Sequence, residues 1–300
     1  MNNLTLKQMR YFETLARYGH FGRAADDCAI SQPALSMQIR EMEETLGASL
    51  FDRSGRQVRL TSFGEAFVER VRDILRSVDE LGDIARAAHD RLMGRLRIGI
   101  IPTIGPYLLP QLMGTLSRSY AGLEINVRET ITPRLIQELI EGRLDTAIVA
   151  LPVSEPSLTE FPLFSEEFVL VRPGEDAGKP IPQLEALREM RLLLLEEGHC
   201  FRDQALSFCQ LPSTRPRELL DASSLSTLVQ MVGAGIGITL IPEMAVAVEM
   251  RSASVSISHF PEPKPTRVIG MIWRKTSPLA TQLMTLAAVI QQDQSADVNF

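Results

Sequence analysis

The chemistry of this chain is concentrated in one segment, Glu196-Glu197-Gly198-His199-Cys200-Phe201-Arg202-Asp203 followed by QALSFC, which carries Cys200 and Cys209 nine positions apart. Gly198 ends the apolar run RLLLLEE and puts Cys200 at the start of a short helix, where aligned backbone amides favour a thiolate. His199 and Arg202 support that charge, and Glu196 and Glu197 oppose it if they point the same way. A regular helix running through both cysteines would hold their Cα atoms ~13.5 Å apart, whereas a disulfide needs roughly 4.4 to 6.8 Å. The thiols can bond only if the helix is rebuilt, which makes the segment a bistable element with a reduced helical form and an oxidised, remodelled one. Free cysteines are also common as small buried hydrophobes, and on spacing alone two unrelated buried thiols have the edge.

The elements that must position these residues follow from composition and periodicity. The chain has 300 residues, 45% hydrophobic and 23% charged, which leaves room for about two globular domains and excludes disorder and fibrous repeats. Three cysteines, an odd number, exclude a disulfide framework and suit a reducing compartment. The third, Cys28, reads as a small buried hydrophobe. Apolar runs such as 192–195 and 238–241 fall far short of the ~20 residues that span a bilayer. The N-terminal stretch lacks the basic start and apolar core of a secretory signal. The expectation is a cytoplasmic protein with no membrane partner, no cofactor and no metal. Residues 1–95 balance 14 Lys+Arg against 14 Asp+Glu, and residues 96–300 hold 17 against 23, so the net charge of −6 lies in the C-terminal part.

After residue 95, short apolar runs alternate with helical patterns: RLRIGII, PYLLPQLMGTLSRSY, LEINVRE, TPRLIQELIEGRL and DTAIVAL, then EEFVLVRP, PQLEALREM, RLLLLEE, a helix near 224–232, GIGITLIPE, RVIGMIW and PLATQLMTLAAVIQQ. Strands alternating with helices predict an α/β domain with mainly parallel sheets. The first strand ends in Pro102-Thr103-Ile104-Gly105, which puts Thr103 at a strand end, where pockets form in such sheets. In the plainer alternative Thr103 caps the next helix.

The first sixty residues predict three short helices and a hairpin. Ser31 can cap the third helix, Pro33 suits its first turn, and Leu35, Ile39, Met42 and Leu46 form its buried face. Gln32, Ser36 and Arg40 line the opposite face, where polar side chains can reach base edges and phosphates in a major groove, although such a face is usually only solvated. Ser54-Gly55 marks a turn between Phe51 and Val58-x-Leu60, which gathers Arg53, Arg56 and Arg59 on a basic wing. From the capping pair Ser62 and Glu65, a helical pattern runs to Met93 with Phe67, Val71, Ile74, Val78, Leu81, Ala85, Ala88 and Leu92 at alternating spacings of four and three. A helix of ~48 Å with this stripe calls for a partner helix and hence a homodimer, the alternative being an amphipathic helix packed on its own chain. A dimer would let paired helices read two half-sites of a pseudo-palindromic double-stranded DNA operator.

The stretch RAADDCAISQPALSMQIREMEETLGASLFDR is similar to the DNA-binding domain of LysR-type transcriptional regulators. The resemblance implies a winged helix-turn-helix over 1–61, a coiled-coil dimerisation linker helix over 62–94, and a two-lobed, periplasmic-binding-protein-like regulatory domain over 95–300. Lobe I would comprise about 95–164 and 269–300, and lobe II about 165–268. It implies DNA contacts from Gln32, Pro33, Ser36, Arg40, Arg53 and Arg56, a pseudo-palindromic operator read by a homotetramer built from dimers, and RNA polymerase as a partner. EEGHCFRDQALSFC, with GIIPTIGPYLLPQL, GAGIGITLIP and the arginine-plus-TSPL segment at 274–279, resembles the members of that family that sense hydrogen peroxide. That likeness implies Cys200 as the peroxidatic residue, Cys209 as the resolving one, and Thr103, Thr132, His199, Asp203 and Arg267 around the peroxide. The segment 210–223, QLPSTRPRELLDAS, departs from the pattern. The competing reading within the family is a sensor of a small carboxylate with inert cysteines. From another class comes a thiol peroxidase, which lacks support from any thioredoxin-like signature near Cys200.

Overall fold

The computed structural model describes residues 4–52, 58–87, 93–182, 187, 190–208 and 221–297. The chain divides into two compact units, Met1–Ile84 and Ala85–Phe300.

In the first unit, α1 (Leu6–Tyr18) starts with Thr5 and Gln8 capping each other and stops at Gly19, whose φ of 56° suits glycine. Helix α2 (Phe21–Asp27) is capped by His20. Helix α3 (Gln32–Leu46) has the expected Ser31 cap and first-turn proline, and it buries Leu35, Ile39 and Met42. These residues pack with Phe12, Leu15, Leu50 and Phe51 into one core. Strands β1 (Phe51–Asp52) and β2 (Arg59–Leu60) form the antiparallel hairpin expected of a wing. Its turn, with Arg53 and Arg56, lies outside the described residues.

Helix α4 spans Ser62–Ala87. Its cap is Thr61 rather than Ser62, because Thr61 Oγ1 accepts from the Gly64 amide at 2.9 Å. The apolar stripe is split. Val68, Val71 and Leu75 are buried in the unit's own core, which removes Val71 from the expected seam. Ile74, Leu81 and Ile84 remain 42%, 66% and 56% exposed. A helix that both completes its own domain and presents an outer stripe must shift the outer stripe around its axis, and here that stripe begins at Ile74.

In the second unit, β3 (Gly94–Ile100), α5 (Gly105–Ser119), β4 (Leu123–Glu129), α6 (Thr132–Ile140) and β5 (Thr146–Leu151) follow one another. Strand β3 lies parallel to and between β4 and β5, as alternating strands and helices require. The long β6 (Leu158–Pro173) then runs on to short β7 (Leu194–Leu195), α7 (Cys200–Phe208), β8 (Asp221–Ala222), α8 (Leu225–Gly233), β9 (Thr239–Pro242), α9 (Glu243–Glu249), β10 (Val255–His259), β11 (Thr266–Arg274) and α10 (Ala280–Asp297). The sheet order is β10-β6-β11-β5-β3-β4, with β9 also on β6.

The expectation of mainly parallel pairing is corrected by the crossing strands. β6 pairs antiparallel with β9, β10 and β11, and β11 pairs antiparallel with β5, because the chain passes through β6 in one direction and returns through β11 in the other. Two apolar cores follow. One gathers Leu96, Ile98, Leu112, Leu135, Leu163, Trp273 and Leu286, and the other Phe168, Leu170, Leu194, Phe201, Leu228 and Leu240. β6 contributes to both, so this strand joins two lobes. Strand β10, not expected from the sequence, extends the second lobe's side of the sheet.

Candidate functional site: a cavity at the strand ends beside Cys200

The loop after β3 carries Ile101, Pro102 and Thr103, the loop after β4 carries Ile131, and Thr132 opens α6. These two strand ends meet His199 and Cys200 at the start of α7 around a small, tightly lined cleft. Gly198 makes the approach possible. Its φ is 93°, and a Cβ there would lie 2.9 Å from Ile131 Cδ1, so a side chain would be strained and would push on the cavity wall.

The wall is polar at selected points. Thr103 is buried and does not cap α5, whose cap is Ile104. Its Oγ1 instead accepts from Arg267 Nη1 at 2.9 Å, and its carbonyl accepts from Nη2 at 3.1 Å. Thr132 Oγ1 is buried without a hydrogen-bond partner among the described residues. A buried, unpaired hydroxyl is costly and is satisfied when a small polar ligand enters. His199 is half-buried, and burial lowers its pKa more than the nearby Glu196 raises it, so the imidazole is neutral at neutral pH.

Arg267 stands one residue behind the cavity. Its Nε donates to Glu166 Oε2 at 2.8 Å, and Nη2 lies 2.7 Å from the same oxygen. The Phe168 and Phe201 rings flank it at 5.8 and 5.7 Å. Burial holds the Glu166 carboxyl above its ordinary range, with the Arg267 guanidinium and the Met244 amide offsetting only part of that rise. The structure thus brings Thr103, Thr132, His199 and Cys200 to one cavity and connects Arg267 to it through Thr103. Asp203 is exposed on the first turn of α7 and is not among the lining residues. Cys209 lies outside the described residues.

Two residues near the site are not singled out by the sequence. Gln204, one turn after Cys200 on α7, is not among the lining residues but has a buried carboxamide oxygen with no partner among the described residues; its i+4 spacing from Cys200 was the available signal. Glu166 was legible only as a charge at the head of an apolar run.

In the first unit, Gln32, Pro33 and Arg40 are exposed and Ser36 is partly exposed on α3, so the polar face is open as a candidate nucleic-acid interface. Cys28, at the end of α2, is partly buried among core residues, and burial raises its thiol pKa. Among the described residues no group of His, Cys, Asp and Glu could hold a metal ion, and no helix is long and apolar enough to cross a membrane.

Comparison with known proteins agrees with this architecture. Residues 6–65 match the bacterial regulatory helix-turn-helix protein of the lysR family, and residues 89–295 match the LysR substrate binding domain. The chain belongs to the LysR family of bacterial regulatory proteins. Within it, the chain is 40% identical over 293 residues to a probable hydrogen peroxide-inducible genes activator of Streptomyces viridosporus, covering 96% of this chain and 94% of the relative. It is 38% identical over 290 residues to the DNA-binding transcriptional dual regulator OxyR of Escherichia coli K12, covering 96% and 95%. Among solved structures, a full-length OxyR variant from Pseudomonas aeruginosa aligns with a TM-score of 0.73 at 36% identity, covering 96% and 95%. A hydrogen peroxide-bound OxyR variant from Corynebacterium glutamicum aligns at 0.67 and 34%, covering 97% and 93%. These likenesses put the chain in the OxyR group of the family.

Proposed function

We propose that the chain is a DNA-binding transcriptional regulator that senses hydrogen peroxide through Cys200 and Cys209 and activates oxidative-stress genes. It acts in the cytoplasm as a sensor rather than a turnover catalyst. The observation that carries this reading is the convergence of Cys200, Thr103 and the unpartnered Thr132 hydroxyl on one cleft, which sets a thiol beside two hydroxyls able to hydrogen-bond a very small polar ligand. Support also comes from relatives such as the probable hydrogen peroxide-inducible genes activator of Streptomyces viridosporus.

The Cys200 thiolate attacks one peroxide oxygen. An S–O bond forms, the O–O bond breaks, and the second oxygen departs as hydroxide and takes a proton to become water. Sulfur loses two electrons and becomes a sulfenic acid. The Thr103 and Thr132 hydroxyls orient the peroxide, and Arg267 stabilises developing charge through Thr103. Cys209 then attacks the sulfenic sulfur, releasing water and forming the disulfide. Helix α7 spans Cys200–Phe208, and at 1.5 Å per residue its ends are separated by ~12 Å. Bond formation therefore unwinds it, and this is the switching step. Asp203, exposed in this form, would join the site only through such rearrangement.

Residues 1–61 recognise the operator through Gln32, Pro33, Ser36, Arg40, Arg53 and Arg56. Residues 62–94 pair with a second copy through Ile74, Leu81 and Ile84, and residues 95–300 sense peroxide in two lobes. Dimers assemble as a homotetramer on pseudo-palindromic DNA and engage RNA polymerase.

The test is asymmetry between the cysteines. With one equivalent of peroxide, Cys200→Ser loses both oxidation and the change in operator footprint. Cys209→Ser still reacts but stops at a sulfenic acid on Cys200 that a dimedone-type probe traps. A sulfenic acid found on Cys209 in Cys200→Ser, formed at the wild-type rate, reverses the assignment, and no oxidation of either cysteine in the wild type refutes peroxide sensing.

A further inference from the structure

We propose that Glu166 is a positioning residue for the peroxide reaction: it aims the Arg267 guanidinium at Thr103 and thereby turns the Thr103 hydroxyl into a dedicated hydrogen-bond donor to peroxide. This rests on the reading of Cys200 as the peroxide-reactive residue. Glu166 and Arg267 stand directly opposite each other in the antiparallel register of β6 and β11, on the strands that join the two lobes. The Arg267 side chain is completely buried and that of Glu166 is 4% exposed. A guanidinium in such a place needs a counter-charge, because burying it alone is expensive.

The geometry supplies more than a counter-charge. Glu166 Oε2 receives Nε and Nη2 of Arg267, and Glu166 Oε1 is tied by the Met244 amide at 3.2 Å at the start of α9. Because the guanidinium is a planar fork, holding its Nε/Nη2 edge sets the direction of Nη1. Nη1 points at Thr103 Oγ1, and Nη2 also meets the Thr103 carbonyl, so both the hydroxyl and its backbone are pinned. Phe168 and Phe201 close the sides of the guanidinium, and Phe201 follows Cys200 directly in sequence.

The chemical consequence follows from the hydroxyl's inventory. A threonine hydroxyl has one hydrogen to donate and two lone pairs to accept. Arg267, which can only donate, occupies the accepting side. The hydroxyl hydrogen is thus left for the cavity, where it is polarised by the cationic donor behind it. It can then stabilise the oxygen that departs as hydroxide. Without Glu166 the fork loses its anchored edge, and the Thr103 hydroxyl loses its defined polarity.

The experiment measures the second-order rate of Cys200 oxidation by hydrogen peroxide in the full chain, by rapid alkylation quench and peptide mass spectrometry. Glu166→Gln should be slower by about tenfold or more, as expected of displaced reacting groups. Glu166→Asp, which keeps the anion, should recover to within about threefold of the wild type. In an Arg267→Gln background, Glu166→Gln should add less than about a twofold change, since residues acting through one partner are not additive. A merely structural Glu166 would add its full loss there, and that result overturns the proposal. Should Glu166→Gln fail to fold, Arg267→Lys decides, because a lysine pairs with Glu166 but has no fork to reach Thr103. It should be as slow as Thr103→Val, and a wild-type rate overturns the proposal. A reactive wild type with an equally reactive Glu166→Gln sinks the positioning role alone, whereas a wild-type Cys200 that resists peroxide sinks peroxide sensing itself and this role with it.

Discussion

Helix α3 and the cysteine cleft present polar side chains in opposite ways. On α3, Gln32, Ser36 and Arg40 fall within nine consecutive residues, and α3 leaves them at its surface while burying Leu35, Ile39 and Met42 on the other side. Around Cys200 the polar groups come from positions 103, 132, 166, 199 and 267, and they are buried or half-buried. On the proposed reading, the surface set serves by being available to a large, charged partner, so each side chain contributes separately. The buried set is linked in an ordered chain, carboxylate to guanidinium to hydroxyl, in which losing one member changes what the next can do. Substitutions on the helix should therefore act independently of one another, and substitutions in the cavity should couple.

The largest effect tests whether the two regions depend on dimer assembly alike. Leu81→Asp puts a carboxylate on the exposed stripe of α4 and should convert the protein to monomers in sedimentation, with loss of two-half-site DNA binding, while the rate of Cys200 oxidation stays at the wild-type value. An unchanged assembly would move the dimer contact off this helix. Next, Gln32→Ala should cost roughly 1 to 3 kcal/mol of discrimination between operator and random DNA, with no change in Cys200 chemistry; competition binding measures it, and equal losses on both DNAs would deny a base contact.

Thr132→Val separates stability from function within the cavity. The hydroxyl has no partner among the described residues, so a methyl in its place should leave the urea midpoint unchanged or slightly raised. The oxidation rate of Cys200 should nevertheless fall about tenfold, equivalent to ~1.4 kcal/mol of lost transition-state stabilisation. A stability loss with an unaltered rate would make Thr132 structural.

The smallest effect concerns His199. Burial lowers its pKa in the folded chain, so below the unfolded value of about 6.5 the unfolded chain binds the extra proton more readily. Stability should fall as pH drops through that point toward the lowered folded value, and His199→Gln should flatten this dependence. Denaturation midpoints at several pH values check it; an identical slope in the variant would show that another group governs the acid limb.

Much of this protein was legible in one dimension. The heads and ends of α1 and α3, the hairpin of the wing and the run of β3, α5, β4, α6 and β5 all follow from caps, glycines and apolar periods acting over a few residues. Cys200 at the head of a helix was legible for the same reason, since Gly198 stops the preceding run. Where local pattern misleads, a longer-range choice intervenes. Val71 fits a heptad seam and equally fits the face that α4 turns toward its own domain, and only its burial in that domain's core decided between them. The antiparallel direction of β6 and β11 depends on the chain returning between lobes, which no local pattern records. The Glu166–Arg267 pair spans 101 positions, and the Arg267–Thr103 bond spans 164. Residue types and local spacing thus determined the elements and the place of Cys200 at a helix start. Which buried donor meets which acceptor was decided by the tertiary fold, through the β6–β11 register for Glu166 and Arg267 and through the loop after β3 for Thr103, because a hydrogen bond depends on ångström-scale placement that only the assembled structure supplies.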